Sequence, residues 1–498
     1  MPDPNHKQVS SKHIPGRLRA LDTLLQAEYG SREEIAVLGV IAFLNPENIG
    51  EDILKPDITQ PQAPDYPINE SNFQKACKNL ISSSIVWTGP AQSSLNVGPE
   101  VQKRVRDKIA EDAIRSKSFF IHVATRLASL WPYTNETPVP HTQGKKDRWR
   151  RCAMLRPHVE SLIEGYFDLK LKRHVAQPTI KFVELLKEAA SYHIERGEPE
   201  EATRLLDIAA PMCESAKATP RLTEYRPEIY RGFVGLAHIT RERRLYLKYA
   251  ELNFNVELER FKESGKETAS LASAYDHTGI VYSLFSRHED AIRCFETSIA
   301  IRRNLEDFRK DWLFIPKYHT AHVYLHLGDD ERAAGILDSA IIDRVEVHGE
   351  YDRYSHRTGI LCYTLGDIRK HQGRLRESFA LHSRAYDNFR STEGPTNLGT
   401  LHCKYKVATH LARINDYNTA RKFLDEILTH YRITPHARPY ICRTAFLYAD
   451  CLQEEGKDFS KMLQEALKVF NEYSPYKRNT MGSLTEKDAA SVVSYDYL

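Results

Sequence analysis

A chain of 498 residues that sets 70 Lys and Arg against 67 Asp and Glu carries a formal net charge of +3, too near balance for its overall field to draw nucleic acid or an anionic membrane. Its eight Cys form no Cys-x-x-Cys pair, which disfavours zinc ribbons and disulfide scaffolds and fits reduced intracellular thiols. The polar start Met1–Ser11 lacks signal-peptide character, and the apolar run Ile35–Leu44 is shorter than the roughly 18 residues of a membrane span, so the chain reads as soluble and intracellular, placed in the cytoplasm.

Residues 1–30 read as a flexible or helical lead-in, weakly amphipathic from Lys7 to Ala27. Ile35–Leu44 is expected to be a buried helix, ended by the turn residues Asn45, Pro46, Glu47 and Asn48. A Pro-rich loop follows over Asp57–Pro67, then an amphipathic helix over Phe73–Ser82 with Phe73, Ala76, Cys77 and Leu80 on one stripe. Ile85–Trp87 and Leu95–Val97 flank Gly89 and Pro90 as a short β-hairpin, and Val101–Ile109 restarts a helix. Helices plus a hairpin predict a small winged-helix-like unit with linker helices over residues 31–175. The basic run Lys145, Lys146, Arg148, Arg150 and Arg151 reads as a solvated linker rather than a nucleic-acid patch.

Beyond this unit a small residue returns at a nearly fixed interval. Ala202, Ala291, Ala333, Ser378 and Ala420 are spaced by 89, 42, 45 and 42 residues, with degenerate copies near Leu247 and Met462. Such a period marks a solenoid whose units bury their apolar faces only by stacking. Around Ala291, Tyr275, Gly279 and Tyr282 share a face of one helix, and after a polar break at Ser286–Asp290, Ala291, Phe295 and Ser298 share a face of a second. Gly279 and Ala291 are small because two helix backbones cross there. In the next copy, Ala321, Tyr324, Gly328, Ala333, Leu337 and Ala340 repeat the arrangement, with Gly328 suited to a left-handed C-cap. Looser copies read Ala190, Gly197, Ala202, Leu206, Ala209; Gly366, Gly373, Ser378, Ala385; and Ala408, Ala420, Leu424, Ile427.

Small residues at the eighth, twentieth and twenty-seventh positions, with an aromatic residue or Leu at the twenty-fourth, resemble the tetratricopeptide repeat. The long interval resembles its kinesin-light-chain variety. The resemblance implies an all-α fold, a right-handed superhelix of about seven repeats over residues 176–473. In the last copy Ala449 and Gly456 fit while Ala466 is out of phase. Residues 474–498, ending in Asp496, Tyr497 and Leu498, are expected to be a flexible tail.

The N-terminal stretch resembles the module that, in fungal STAND-type receptors, follows the NB-ARC or NACHT domain and precedes the repeats. The residues that carry this are Phe43 to Ile49, Phe73 with Ala76 and Leu80, Leu95 to Arg106, Leu130 to Pro132, and Trp149 with Cys152, Leu155, Pro157, His158 and Val159. The pattern departs at Gly98 and Pro99, where the family more often carries His-Arg. No Gly-x-x-x-x-Gly-Lys-[Ser/Thr] occurs: the Gly-Lys pairs at Gly144, Gly265 and Gly456 lack the flanking residues. The chain therefore has no phosphate-cradling loop of that kind.

In tetratricopeptide proteins the second, fifth, ninth, twelfth and thirteenth positions of each first helix line the concave groove. Carried over, the fifth position is Tyr318, Tyr363 and Tyr405, flanked by His322, His326, Asp367, Lys370, His371, His402 and Arg413. Such a groove is aromatic and mildly basic, suited to a protein or peptide partner of acidic character. His319, His322 and His326 share a helix face, but the Glu of a His-Glu-x-x-His zinc helix is missing, and no metal is expected. Lys187 fits the first position of a co-chaperone carboxylate clamp, yet Ser191 stands where Asn is needed. No Gly-x-Ser-x-Gly and no Gly-x-Gly-x-x-Gly occurs, so neither enzyme activity nor a cofactor is expected. The reading is a non-catalytic interaction scaffold that binds neither nucleic acid nor membrane. Two alternatives stay open: the regulatory sensor half of a STAND-type system acting with a separate NTPase, and a helical-hairpin enzyme without a recognised motif.

Overall fold

The computed structural model describes residues 14–26, 32–89, 94–133, 141–171, 179–215, 219–434, 437–476 and 484–492. The chain divides into two compact units, residues 1–137 with 146–256 and residues 138–145 with 257–498. No helix among the described residues is long and apolar enough to cross a membrane.

The first unit opens with α1 (Ile14–Gln26), α2 (Arg32–Ile41), β1 (Ile49–Gly50), α3 (Glu51–Leu54), α4 (Glu70–Ser82), β2 (Val86–Thr88), β3 (Ser94–Val97), α5 (Pro99–Ile109) and α6 (Ala113–Leu130). The apolar stripe predicted for α4 is buried, and Asn69 caps the helix by accepting from the Asn72 N–H. β2 and β3 pair antiparallel with Val86 opposite Val97. The sequence reading lacked β1, which pairs with β3 through Ile49 and Leu95 and makes the sheet three-stranded in the order β1-β3-β2. Two residues are too few to show a period of two. Gln102 is buried and donates from Nε2 to the carbonyls of Ile41 (2.9 Å) and Leu44 (2.8 Å), closing the C-terminal end of α2.

The helix α7 (His141–Leu171) takes up the basic run. Two of its residues, Arg148 and Arg151, are not solvated linker positions, while Arg150 is exposed. Arg148 is 7% exposed, pairs with Glu195 at 2.5 Å and donates to the Pro132 carbonyl, while Arg151 pairs with Asp52. Trp149 Nε1 donates to the same Glu195 at 2.9 Å. The side chains of Lys145 and Lys146 lie outside the described residues. Two helix pairs follow, α8 (Ile180–Arg196) with α9 (Pro199–Glu214) and, after the short α10 (Pro220–Glu224), α11 (Arg226–Thr240) with α12 (Arg243–Ser264).

The second unit is a row of helical hairpins: α13 (Ala269–Leu284) with α14 (His288–Arg303), α15 (Phe314–His326) with α16 (Asp330–His348), α17 (Arg357–His371) with α18 (Leu375–Glu393), α19 (Leu398–Arg413) with α20 (Tyr417–Ile433), and α21 (Tyr440–Glu454) with α22 (Ser460–Tyr473). Within it the second helix of each hairpin packs on the first helix of the next. Ala291, Ala333, Ser378 and Ala420 have no exposed surface. A Cβ on Gly279 would stand 2.6 Å from Phe295 Cε1, so the helices cross where only a bare backbone fits. The long repeat interval arises partly in second helices such as α16 and α18, each of 19 residues.

Every hairpin turn contains one residue at positive φ: Gly197 (69°), Arg241 (58°), Ser286 (60°), Gly328 (76°), Gly373 (75°), Asn415 (63°) and Gly456 (67°). A left-handed residue reverses the chain while letting the freed helix carbonyls be bonded. Arg374 N–H donating to Arg369 O at 2.8 Å and Asp416 N–H to Leu411 O at 2.9 Å do so in the third and fourth hairpins of this unit. In the last hairpin the connection 455–459 is longer than 372–374 or 414–416, which shifts the phase of α22. Ala466 is nevertheless fully buried beside Val469 and Phe470.

Residues 484–492, which the sequence reading assigned to a flexible tail, form a further helix, α23 (Glu486–Ser491), with Leu484 and Ala489 buried. Asp496, Tyr497 and Leu498 lie outside the described residues.

Candidate functional site

The first helices of the hairpins carry the candidate residues, and the structure distributes them unequally. On α15, Tyr318 is 6% exposed and committed to the hydrophobic core, stacked on Phe314 at 5.6 Å and edge-on to His322 at 4.4 Å. His322 is equally buried, and burial, with His326 nearby, pulls its pKa down to about 3. It is a neutral core imidazole. His326 is exposed, with its ring 6.3 Å from that of His288, and His319 lies against Phe295. Among the described residues no group of three or more His, Cys, Asp or Glu is placed to hold a metal ion.

On α17 and α19 the candidates converge. Lys406 reaches from α19 to Asp367 on α17, with Nζ 2.6 and 2.8 Å from its two carboxylate oxygens, and lies 5.0 Å over the Tyr363 ring. Burial alone would raise the Asp367 pKa, but Lys406 and the bond to His382 overcome it and hold the carboxyl well below the usual range. The Lys406 ammonium is held above its usual range, burial opposing and Tyr363 and Asp367 prevailing. Next to Tyr405, the Arg443 guanidinium stacks 4.7 Å over that ring and 5.1 Å over Tyr440, whose ring is 4.4 Å from His402. The Arg443 Nε is buried and has no hydrogen-bond partner among the described residues. Lys370 lies half-buried in the same cluster; burial first, then the charges of Lys406 and Arg413, lower its pKa. His371 and Arg413 are exposed at the ends of α17 and α19.

Beneath the cluster lies a polar layer. His382 Nε2 is 3.3 Å from Asp367 Oδ1, its Nδ1 is 3.0 Å from His410 Nε2, and Ser378 Oγ stands 3.2 Å from the same His410 nitrogen. Ser, His and Asp thus meet, but not as a nucleophilic site. Ser378 has no exposed surface and donates its hydroxyl to the Gly366 carbonyl at 2.7 Å. Both imidazoles are held below the usual histidine range, first by burial; His410 falls to about 4, with the His382 charge acting second.

The position count carried over from the repeat family missed Lys406 and Arg443. Lys406 follows the fifth position of its helix and belongs to none of the five lining positions. Arg443 stands at the second position of α21 when the count is taken back from Ala449 and Gly456, so extending it one hairpin finds it. Elsewhere, a cleft of about 460 Å³ opens between α14, α15 and α16, lined by Ile292, Ile299, Tyr324 and Ile336, and holds none of the candidate residues.

No curated protein matches the sequence. Among solved structures, BtubC (BKLC) from P. vanneervenii is similar at 14% identity and a TM-score of 0.41 over 49% of this chain and 96% of its own. A STAND protein with a tetratricopeptide repeat sensor from Pyrococcus horikoshii is similar at 13% identity and a TM-score of 0.45 over 92% of this chain; this chain spans 65% of its length. The apo quorum sensor NprR from B. thuringiensis is similar at 14% identity and a TM-score of 0.42 over 66% of this chain and 91% of its own. Likeness at this level assigns no activity. Two family models match parts of the sequence: a domain of unknown function, DUF7779, over residues 25–114, and a tetratricopeptide repeat model over residues 358–433. The second match spans the two hairpins α17–α18 and α19–α20, so the segment that carries most of the cluster is built of tetratricopeptide repeats.

Proposed function

We propose that the chain is a non-catalytic protein-interaction scaffold whose first helices α17, α19 and α21 hold an acidic segment of a partner protein. One observation carries this reading. Lys370, Arg413 and Arg443 have no carboxylate at salt-bridge distance among the described residues: Asp367 is taken up by Lys406, and Glu486 acts on Lys370 without pairing with it. A cluster of cations without paired carboxylates beside aromatic faces favours an anionic ligand with apolar flanks. Tyr405 and Tyr440 supply rigid rings for such flanks, and Arg443 supplies planar donors for a carboxylate.

The test uses the full chain and its Tyr405→Ala and Arg443→Gln variants in affinity capture from native lysate, with the captured partner then titrated against each. A partner whose affinity falls at least about tenfold with either substitution, at unchanged helix content, supports the reading. Equal affinity for all three chains sinks it.

A second reading is favoured by the N-terminal unit. There α2, β1, α3, α4, β2 and β3 follow one another in the order helix, strand, helix, helix, strand, strand around a three-stranded sheet, an arrangement we read as winged-helix-like. On this reading the chain is the regulatory sensor half of a STAND-type system, and residues 31–175 are the module through which it acts on an NTPase that is a separate chain. Loss of partner capture on deleting the residues before Thr179 favours the sensor; retention favours the scaffold.

A further inference from the structure

The helix α23 does not continue the row of hairpins. It packs mainly on α21, the first helix of the last hairpin, and only slightly on α22, where a next repeat would lie. Leu484 (6% exposed) and Ala489 (1%) are buried in the apolar cluster of Leu401, Ile441 and Phe470, against which Tyr405, Tyr440 and Val492 also pack. The helix starts at a capping box: Thr485 Oγ1 accepts from the Asp488 N–H at 3.1 Å, and Asp488 accepts from the Thr485 N–H at 3.1 Å. Its first residue, Glu486, is acidic and acts on Lys370 and Tyr405, favouring the charged lysine against the repulsion from Lys406 and Arg413. A short segment with an apolar back, packed in the same apolar cluster as Tyr405 and Tyr440, therefore brings one carboxylate, Glu486, to act on Lys370, a cation without a paired carboxylate.

We propose that residues 484–492 are a tethered ligand of this site, and that the external ligand is an acidic amphipathic segment of a partner protein that binds by displacing them. The inference rests on the scaffold reading above and deepens it. The closed contact is small, with Leu484 and Ala489 as its fully buried apolar side chains, and Asp450 on α21 opposes Glu486 with like charge. Such a contact opens at small cost, yet a tethered segment competes at an effective concentration on the order of millimolar. Weak acidic segments are then excluded, while one with further contacts to Tyr405 and Tyr440 enters.

The probe is a fluorescein-labelled peptide with the sequence of residues 484–492, titrated by anisotropy against the full chain and its Leu484→Asp, Arg443→Gln and doubly substituted variants. Leu484→Asp loosens the tethered copy without touching the cations, so the probe should bind that chain about tenfold more tightly than the unmodified one. Adding Arg443→Gln should remove the gain, and a probe with Gln in place of Glu486 should bind more weakly. Equal binding to the unmodified and Leu484→Asp chains, or binding that ignores Arg443→Gln, overturns the proposal. Amide exchange supplies a readout independent of the probe: residues 486–491 should lose protection in full-length Arg443→Gln, and unchanged protection overturns it equally. A dimer formed by exchange of this segment between copies, seen by sedimentation, would replace the partner by a second chain and also overturn it. If the tethered ligand fails while partner capture still needs Tyr405 or Arg443, the scaffold reading stands; if capture needs neither, both fall.

Discussion

Arg344 and Asp352 form an ion pair with almost no solvent: their side chains are 2% and 0% exposed, and Nη2 lies 2.5 Å from Oδ2. Thr358 completes it by donating to the same carboxylate oxygen and accepting from Arg344 Nε at 2.9 Å, which ties the end of α16 to the start of α17. The pair stands between the hairpin of Tyr318 and that of Tyr363. Removing one partner strands a buried charge, so Asp352→Ala should destabilise the second unit by about 3–5 kcal/mol. Chemical denaturation of the two chains measures it, and a loss below about 1 kcal/mol would show that water reaches Arg344.

The turn residues allow a prediction of opposite sign. Arg241 and Ser286 adopt φ of 58° and 60°, where a side chain is crowded, in turns where four other hairpins use Gly. Arg241→Gly and Ser286→Gly should each stabilise the chain by about 0.5–1 kcal/mol, while Gly373→Ala should cost a similar amount. Thermal melts of the three variants decide the matter, and a destabilised Ser286→Gly would mean that the serine has a role beyond its backbone angle.

The repeats were legible because close helix crossing demands a small residue: Gly279 meets the Phe295 ring, and Ala333 and Ser378 have no surface at all. Tyr363, Asp367 and Tyr405 were reachable by counting positions within that pattern. Arg443 was reachable by the same count but lay one hairpin beyond it. Lys406 was not, because its long side chain reaches Asp367 from a position beside the lining row. Tyr318 shows the limit of counting: the same position that carries Tyr405 next to Arg443 in one hairpin buries a ring against Phe314 in another. β1 and α23 were illegible for want of length, since Ile49–Gly50 and Glu486–Ser491 are too short to show a period and are held by distant residues.

Two histidines make the first unit sensitive to acid. His122 Nδ1 accepts from the Ala63 N–H at 3.1 Å, and His158 Nδ1 accepts from the Asn45 N–H at 3.2 Å, so each bond requires a neutral ring. Burial lowers both pKa values from 6.5 to about 4. Between these values the unfolded chain binds protons that the folded chain does not, so stability is full above pH 6.5 and falls as pH drops towards 4. The loss is at most about 3 kcal/mol per residue. Melting temperature followed from pH 7 to 4 should decline, and His122→Gln should flatten part of the decline. A flat profile would show that the rings protonate without losing their backbone partners.

The cation cluster sets stability against binding, and this separates a site from a structural feature. Lys370 is depressed first by burial and then by Lys406 and Arg413, with Asp367 and Glu486 only partly compensating. If these charges serve the fold, removing Lys370 should weaken it; if they wait for an acidic ligand, the free protein should gain. Lys370→Gln should therefore raise the stability of the unliganded chain by about 0.5 kcal/mol, because like charges are relieved. The same substitution should weaken an acidic partner about fivefold at 0.15 M salt, with a smaller difference as salt rises. Arg413→Gln should act in the same direction but more weakly, since that side chain is exposed. The two measurements must move oppositely for the binding reading to hold: a Lys370→Gln chain that melts lower and binds equally well would assign the lysine to the fold and leave Arg443 as the cation to test.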